Sequence, residues 1–393
     1  MLPLEGITVV ALEQAVAAPF ATRQLADLGA RVIKIERPGT GDFARHYDRT
    51  VRGMSSHFVW LNRSKESLAL NLKHPAAGEI MDALLEQADV FIQNLAPGAA
   101  ERLQLGAEAL SERFPRLIIC NVSGFGPSGP YSEKKAYDLL IQCETGLVSI
   151  TGSEDTPSKT GISVADIAGG MYAYSSILTS LLQRHQTGKG TVVDVSLFDA
   201  LAEWMGYPMY YTRYGGSAPL RTGARHASIS PYGPFAAGDG KTVFLAIQNE
   251  REWERFCTEV LQQPEVATDR RFLSNSLRVK HHEALRELIM QVFREQTAAE
   301  IIRRLDRAQI ASAELRDVNA FLEHPQLWER NRVRKVNSPA GEIDALLPPV
   351  IPRGIQPVMN PIPEVGEHSE AILRELGFPS ASIQRWSIES VIG

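Results

Sequence analysis

Hydrophobic and polar positions follow two different patterns along this chain. Through the first two hundred residues, short apolar runs such as residues 7–12 and 31–36 alternate with helical stretches such as 17–28 and 76–87. Near-continuous apolar strands that alternate with helices are typical of a mostly parallel sheet covered on both faces. The first part of the chain therefore predicts a doubly wound α/β domain.

The remaining elements of this domain follow from the same pattern. Further strands are predicted at residues 68–72, 90–93, 117–122 and 192–197. Further helices are predicted at residues 99–103 and 107–114, with a long one from about 164 to 186 that stops near Gly188.

The pattern changes after residue 203. Residues 204–223 are aromatic and punctuated by Gly and Pro, which predicts an extended connection. Beyond it, one clear strand (242–248) precedes charged amphipathic helices, predicted at residues 250–261, 276–296 and 298–307. The last helix opens with the capping box Thr297-x-x-Glu300. A proline-rich tail from about residue 327 predicts an extended strap before a final helix at 369–376.

Composition and charge narrow the class of protein. With Lys plus Arg at 41 and Asp plus Glu at 46, the net charge is -5, which argues against a general nucleic-acid binder or a basic membrane-surface protein. No run of about 18 apolar residues suggests a membrane span. Three scattered cysteines predict neither a disulfide frame nor a zinc site, so we expect a reducing cytoplasm.

One glycine motif resembles a dinucleotide-binding loop but does not fit that role. Gly124, Gly126 and Gly129 match G-x-G-x-x-G after a strand, yet Pro127 and Pro130 remove backbone N–H donors and oppose a helix start. The first turn between strand and helix, at residues 13–18, has no glycine. A nicotinamide enzyme is therefore not expected.

The histidines give no metal site. None of the nine shows an HxxxH or HxH spacing, and His281 and His282 sit in a predicted charged helix. His226, in the run Arg221-Thr-Gly-Ala-Arg225-His226, is either an ordinary loop histidine or a site residue at the entry to the second domain.

Two carboxylates are the strongest candidates for chemistry. Asp166 lies at the start of an otherwise apolar helix, where the helix dipole stabilises negative charge, and is either a capping acid or a nucleophile. Gly169 and Gly170 follow it and let a backbone or a ligand approach closely. Asp138 has Lys135 and Tyr137 as neighbours.

A set of motifs, in order along the chain, resembles the class III CoA-transferases, the formyl-CoA and carnitine-CoA transferase family. The shared features are short and individually weak, but they span nearly the whole chain. They are LADLGARVIKIERPG from Leu25, NRSK from Asn62, ADVFIQN from Ala88 with Pro97-Gly98, SGFG from Ser123, AYD from Ala136, DIAG from Asp166 and TGKG from Thr187.

The resemblance implies a fold and an assembly. It implies a Rossmann-like large domain formed by residues 1–203 and by part of 326–393, and a smaller α-rich domain at 226–325. The linkers would be residues 204–225 and the first part of 326–393. Two copies would interlock as a homodimer.

The same resemblance implies a covalent mechanism on Asp166, bordered by Tyr137 and Asp138. The aspartate would attack an acyl-CoA thioester to form an acyl-aspartyl anhydride, and the CoA thiolate would return to give an aspartyl-CoA thioester. The acceptor acid would leave as its CoA thioester. Coenzyme A would be a substrate moiety, with no tightly bound cofactor.

Further residues would hold the substrates. The residues implied to contact CoA are Ala15, Val16, Ala17, Arg37, Leu72, Lys73, Asn94, Arg102 and Lys135. Arg45, Arg225 and His226 are expected to bind the acyl or acceptor group, because Arg holds a carboxylate bidentately. Arg49, Arg52 and Arg221 lie near the same predicted mouth and are equally consistent with surface charge or CoA phosphates.

Departures from the family pattern bear on the substrate. The chain lacks the glycine-rich lid of the formyl-CoA enzymes and carries residues 224–233 there, which makes oxalate a doubtful acceptor. A racemase of 2-methylacyl-CoA would need a histidine where Tyr137 stands. A non-catalytic acyl-CoA-binding protein would not need Asp166. We therefore expect transfer from succinyl-CoA or a similar donor to a C4–C5 dicarboxylate such as itaconate or mesaconate.

Overall fold

The computed structural model describes residues 2–393. The strands are β1 (Thr8–Leu12), β2 (Arg31–Glu36), β3 (Lys65–Ala69), β4 (Val90–Gln93), β5 (Ile118–Ser123), β6 (Val192–Ser196), β7 (Tyr232–Ala236), β8 (Thr242–Ala246), β9 (Ala311–Glu314), β10 (Val333–Val336) and β11 (Ile343–Leu346). The helices are α1 (Ala17–Asp27), α2 (Ser56–Leu61), α3 (Ala76–Gln87), α4 (Ala99–Arg102), α5 (Ala107–Arg113), α6 (Asp138–Glu144), α7 (Leu147–Ile150), α8 (Val164–Thr187), α9 (Leu197–Trp204), α10 (Gly206–Gly215), α11 (Glu250–Arg255), α12 (Asn275–Lys280), α13 (His282–Phe293), α14 (Ala298–Arg307), α15 (Val318–Leu322), α16 (Pro325–Trp328), α17 (Ser369–Glu375) and α18 (Ser380–Ile388).

Six parallel strands form the main sheet, in the order β3-β2-β1-β4-β5-β6. The chain moves outward from β1 to β3 and then returns to the other side of β1 as β4. This reversal leaves a crevice outside the carboxyl ends of β1 and β4, which is where open sheets of this kind bind ligands. The predicted α/β class and Rossmann-like parallel sheet are confirmed.

Helices cover both faces of this sheet. On one face, strand residues such as Val10, Ile33 and Phe91 are buried with apolar residues of α3, α5, α17 and α18. Alternate strand residues such as Val9 and Ala11 point to the other face, where α1 and α8 pack against the strands and each other. The last residues of the chain thus complete the core that the first residues begin.

The chain divides into two compact units. The first comprises the chain up to Gly146, Thr160–Tyr207 and Trp328–Gly393, and the second comprises Leu147–Lys159 and Pro208–Leu327. In the second unit, the antiparallel sheet β7-β8-β9 shares an apolar core with helices that include α11, α13 and α14. The domain boundaries and linkers expected from the sequence stay predictions.

The extended connection predicted at residues 204–223 is wrong over Gly206–Gly215, which forms α10. The glycine and proline residues of this segment suggested an extended connection, but Pro208 lies in the first turn of α10. The backbone N–H groups of a first turn have no partner within the helix, so a proline there removes no helical hydrogen bond.

Several other elements differ from the sequence expectations. In the second unit only β8 was predicted. Strand β7 contains Pro234 and lies at the edge of its sheet, where proline is tolerated. The expected strand at 68–72 is shifted to Lys65–Ala69, and the helix expected at 276–296 is interrupted at His281. The tail contains the β10–β11 hairpin and the unpredicted helix α18.

The capping box at α14 is confirmed. Thr297 accepts a hydrogen bond from the Glu300 backbone, and the Glu300 carboxylate accepts one from the Thr297 backbone. Among residues 2–393, no helix is both long enough and apolar enough to cross a membrane.

Candidate active site

Asp166 lies in the first turn of α8, at the carboxyl edge of the main sheet. The other end of α8 fixes this orientation: Arg184 donates to the Asp89 carboxylate at 2.7 Å and to the Arg116 carbonyl at 3.2 Å. Asp89 immediately precedes β4, and Arg116 lies two residues before β5. Because the C-terminal end of α8 lies beside the amino ends of these strands, its first turn lies near their carboxyl ends.

Two glycines bring α8 close to its neighbours. A Cβ atom on Gly170 would lie 2.6 Å from the Ala17 carbonyl oxygen, and one on Gly169 would overlap the side chain of Leu197. The close approach is therefore to the backbone of α1 and to a side chain of α9. Asp166 lies one turn before Gly170 on the same face of α8, which places it beside the start of α1.

Asp138 caps the first turn of α8 from a different helix. Its Oδ1 accepts hydrogen bonds from the backbone N–H of Ala165 at 2.7 Å and of Asp166 at 3.3 Å. Its Oδ2 accepts from the side chain of Gln142 at 2.7 Å, and the buried Gln142 accepts in turn from the Thr160 backbone at 3.1 Å. Asp138 is thus held in place and satisfies donors that α8 leaves open.

The Asp166 carboxyl is in an unfavourable environment for a charge. Burial, followed by the negative charge of Asp138, raises the pKa of Asp166 from 3.8 to about 7. The sequence expectation was that the helix dipole stabilises this charge. In the structure, burial and Asp138 outweigh it, and Asp138 itself accepts from the N–H groups of the first turn.

Tyr47 is a neighbour of Asp166 that the sequence analysis missed. Burial, with the charges of Asp42 and Asp166 and the phenol of Tyr137 nearby, raises the pKa of Tyr47 to about 12, so its hydroxyl stays protonated and can donate. Its ring packs edge-on against His57, with the ring centroids 5.4 Å apart. Tyr137 itself is 67% exposed and immediately precedes α6. Only the fold brings residues so far apart in sequence together.

The turn between β1 and α1 has an unusual backbone. Ala15 adopts a φ of 62°, a left-handed conformation that costs a non-glycine residue about 1–2 kcal/mol. Asn94, after β4, accepts from the Gln14 N–H and donates to the Gln14 carbonyl, both at 2.8 Å. Asn94 therefore ties together the two strand ends that flank the crevice. Val16 and Ala17 are buried where α1 begins.

Buried ion pairs hold the first residue of this turn, Glu13. Glu13 accepts hydrogen bonds from Lys65 at 2.6 Å and Lys34 at 3.3 Å, and all three side chains are inaccessible to solvent. Burial favours the neutral form of Glu13, but the two lysines outweigh it and lower the pKa of the carboxyl. Lys34 also donates to Asp42 at 2.9 Å. Paired charges of this kind fix the residues that carry them.

Arg45 forms structural contacts where a substrate contact was predicted. Its guanidinium donates to both carboxylate oxygens of Glu36, at 2.8 and 2.7 Å, and to the Pro363 carbonyl at 3.2 Å. It also stacks over Phe58, with 3.7 Å between the guanidinium carbon and the ring centroid. The fork that was expected to hold a substrate carboxylate is therefore occupied by Glu36.

Several residues that are predicted to bind CoA lie after the carboxyl ends of strands in the main sheet. Arg37 comes directly after β2, Leu72 and Lys73 come shortly after β3, and Arg102 ends α4 beyond β4. The side chains of Arg37, Lys73, Arg102 and Lys135 are exposed, whereas Leu72 packs against the apolar core. Four cations are thus accessible to an anionic ligand. Three of them, Arg37, Lys73 and Arg102, follow the carboxyl ends of β2, β3 and β4 along the chain.

Arg225 and His226 lie in the second unit. Arg225 is 3.7 Å from Glu154 and lines an open cleft of about 430 Å³ with Tyr232 and Arg286. His226 stacks on Tyr232 at 5.1 Å, and its Nδ1 accepts from the Ser228 backbone. These contacts fit the ordinary loop histidine that the sequence allowed. Among residues 2–393, no cluster of three or more His, Cys, Asp or Glu side chains could hold a metal ion.

Comparisons with known proteins find relatives that match most of the chain. The chain is 32% identical over 397 residues to mouse succinyl-CoA:glutarate CoA-transferase, covering 100% of this chain and 91% of that protein. It is 36% identical over 335 residues to acetyl-CoA:oxalate CoA-transferase of Acetobacter aceti, covering 85% and 86%. A crystal structure of a CaiB/BaiF family protein from Brucella suis superposes with a TM-score of 0.84 at 31% identity, covering 95% and 99%.

The sequence profile of one family covers almost the whole of the chain. It matches residues 4–369, a span that includes β1, the turn at Ala15, Asp138 and Asp166. The chain therefore belongs to CoA-transferase family III, and the protein is a CoA-transferase.

Proposed function

We propose that the protein transfers CoA from succinyl-CoA, or a similar dicarboxylyl-CoA, to a C4–C5 dicarboxylate such as itaconate or mesaconate, with Asp166 as the nucleophile. The supporting observation is the Asp166 carboxyl itself, which is partly buried beside the start of α1 and close to Asp138. The mouse relative, named for succinyl-CoA and glutarate, supports a dicarboxylate acceptor and adds glutarate to the candidates.

The reaction proceeds through covalent intermediates on Asp166. A carboxylate oxygen attacks the thioester carbonyl, the C–S bond breaks, and CoA thiolate leaves an acyl-aspartyl anhydride. The thiolate then attacks the aspartyl carbonyl, which releases the donor acid and forms an aspartyl-CoA thioester. The acceptor carboxylate attacks this thioester and displaces the thiolate, which finally attacks the acceptor's acyl carbon and restores Asp166. Covalent catalysis divides one difficult transfer into these easier steps.

The raised pKa of Asp166 suits this chemistry. A carboxylate whose conjugate acid has a pKa of about 7 is a stronger nucleophile than an ordinary aspartate, yet it is still largely ionised slightly above neutral pH. Asp138 contributes in two ways, because its charge raises this pKa and its Oδ1 holds the backbone of Asp166. Tyr47 supplies a phenol hydroxyl within electrostatic range of the reacting carboxyl, and Tyr137 lies within range of Tyr47.

Coenzyme A would lie along the carboxyl edge of the main sheet. Arg37, Lys73, Arg102 and Lys135 offer exposed cations for its phosphates, and residues 15–17 would flank the pantetheine near the thioester. Arg225 and His226 remain proposed contacts of the acyl or acceptor group. We assign Arg45 to the support of Glu36.

The protein would act as a homodimer in the cytoplasm. Helix α10 exposes several large apolar side chains, which a second copy would cover, and the three cysteines form no disulfide. Light scattering after size-exclusion chromatography tests the dimer, and a monomer at micromolar concentration would contradict it.

Mass spectrometry of trapped intermediates tests the proposed function. Wild type and the isosteric variant Asp166→Asn are incubated with succinyl-CoA, trapped with hydroxylamine or borohydride, and digested. The CoA thioesters formed with itaconate, mesaconate, glutarate, malate and oxalate are measured in the same samples. We expect an adduct on the Asp166 peptide of wild type alone, together with a new dicarboxylyl-CoA.

The alternatives give different results in this experiment. Transfer without any adduct on Asp166 would contradict the mechanism. Exchange of the α-proton of a 2-methylacyl-CoA without transfer would indicate the racemase. Formation of oxalyl-CoA alone would contradict the C4–C5 acceptor and retain the transferase.

A further inference from the structure

Three consecutive residues of the β1–α1 turn are each held by a different set of polar side chains. Glu13 is paired with Lys34 and Lys65, and Gln14 is bonded on both sides to Asn94. Ala15 donates its N–H to Asp42 Oδ1 at 3.1 Å. Of these contacts, the last acts on the residue with the left-handed backbone.

Asp42 is itself rigidly placed. Its side chain is 2% exposed, and its Oδ1 also accepts from the Ala44 N–H at 2.9 Å. Its Oδ2 accepts from Lys34 at 2.9 Å, and its own N–H donates to Glu36 at 2.8 Å. Both carboxylate oxygens are therefore engaged, and the buried ammonium group of Lys34 gives the carboxylate little freedom to move.

The direction of this support matters for the site. The residues after Ala15 begin α1, whose Ala17 carbonyl lies in the close contact with Gly170 of α8. Asp166 is one turn from that contact. A change in the backbone at Ala15 is therefore transmitted over two residues to Ala17, which packs against α8 one turn from Asp166.

We infer that Asp42 is a positioning residue for acyl transfer: by accepting the Ala15 N–H, its carboxylate fixes residues 15–17 where the thioester must lie against Asp166. This inference rests on the proposed function and adds a residue outside the chemistry itself. Asp42 forms no bond to substrate, and it acts only through the turn.

Matched variants separate this role from ordinary stabilisation. Asp42→Ala removes the acceptor, whereas Asp42→Asn keeps an oxygen that can accept from Ala15. Both variants lose the negative charge and the oxygen that accepts from Lys34, so the comparison between them isolates the bond to Ala15. Asp27→Asn is the control, because Asp27 is 1% exposed and accepts from Arg23 and Arg63 at the other end of α1. It removes a comparable buried carboxylate without touching the turn.

The rate of Asp166 acylation by succinyl-CoA in a single turnover is measured for each protein, well below its Tm. We expect Asp42→Ala to slow acylation about 100-fold, since a displacement near 1 Å at a reacting centre has an effect of that order. Asp42→Asn should recover most of the rate, and Asp27→Asn should keep the wild-type rate although its Tm falls. The KM for succinyl-CoA should change much less than kcat.

Hydrogen exchange measures the positioning directly. The Ala15 amide should be protected in wild type, Asp42→Asn and Asp27→Asn, and should exchange faster in Asp42→Ala. An Asp42→Ala protein that acylates Asp166 at the wild-type rate, or that keeps Ala15 protected, would overturn the inference. Wild type without any adduct would instead contradict the proposed function, and exchange at Ala15 would still decide whether Asp42 holds the turn.

Discussion

The two ends of α8 are constructed in opposite ways. At the C-terminal end, the cationic Arg184 binds an acidic side chain and two backbone carbonyls, and Gly188 ends the helix with a φ of 71°. A cation there agrees with the helix dipole. At the other end, two carboxylates, Asp138 and Asp166, lie close together, and one has a pKa raised to about 7.

This difference separates stability from chemistry within one helix. At the C-terminal end, the charge-assisted hydrogen bonds of Arg184 and its position relative to the helix dipole favour the folded state. At the first turn, the charge of Asp166 is destabilised by burial and by Asp138, and such a cost is typical of active sites. The contrast predicts that changes at the two ends affect different properties.

The largest effect is expected from Asp166→Asn. Loss of the nucleophile should lower kcat by at least about 10³-fold, a loss in the range found when a catalytic nucleophile is removed. The same change should stabilise the fold by about 1–2 kcal/mol near pH 8, because it removes a destabilised buried charge. Steady-state kinetics and urea unfolding of the same preparation check both statements.

The sign of this stability change depends on pH. Because the folded pKa of Asp166 is raised, the native state binds more protons than the unfolded state between about pH 4 and 7. The cost of its charge therefore grows as pH rises through this range and is absent below it. An Asp166→Asn protein that gains no stability at pH 8 relative to pH 4 would contradict a destabilised Asp166.

Gly170→Ala should damage both properties. The added methyl group meets the Ala17 carbonyl oxygen at 2.6 Å, so α1 and α8 must separate, at a cost of about 1–3 kcal/mol. We expect kcat to fall as well, because the start of α1, which lies beside Asp166, would move. Gly78→Ala, in α3, meets nothing within 4 Å and should stabilise the protein by about 0.5–1 kcal/mol, as measured by urea unfolding.

Arg184→Gln tests the other end of α8. Loss of charge-assisted hydrogen bonds to Asp89 should lower the free energy of unfolding by about 1–2 kcal/mol. Turnover at 25 °C should stay at the wild-type value, since the variant is far from the first turn. A large fall in kcat with unchanged stability would show that the two ends are not separable.

The smallest expected effect is a shift of the pH profile in Asp138→Asn. Activity should rise with pH through about 7 as Asp166 ionises, with Asp138 and Tyr47 within electrostatic range of the carboxyl. Removing the charge of Asp138 should lower this midpoint by about 0.5–1 unit, because the repulsion is lost while the burial of Asp166, the larger cause, remains. The pH dependence of acylation by succinyl-CoA measures this midpoint. An unchanged midpoint would show that the charge of Asp138 does not raise the pKa of Asp166.

Elements with regular patterns were predictable, and irregular ones were not. The strands that became β1, β2 and β4 and the helices that became α1, α3 and α8 follow from apolar periodicity, because burial on a sheet or helix face imposes that period. Strand β3 was misplaced because Lys65 is charged. Its neighbour Glu13, which makes a buried lysine acceptable, is 52 residues away.

The candidate site was predictable only in part. Asp166, Asp138 and Tyr137 stand in recognisable motifs, and their roles in catalysis stay predictions. Tyr47 and Asp42 carry no motif, and their proximity to the site depends on how the segment after β2 folds. Arg45 shows the converse, since its residue type suggested a carboxylate ligand and the fold supplied Glu36 from its own chain.

The sequence by itself determined the alternation of strands and helices, the family and the identity of the candidate nucleophile, since each rests on local pattern or residue type. The tertiary structure alone decided that Asp138 and Tyr47 lie within electrostatic range of Asp166, that the pKa of Asp166 is raised, and that Asp42 holds the turn beside α8. Those properties arise from burial and from charges brought together across long separations, and neither is written in the local sequence.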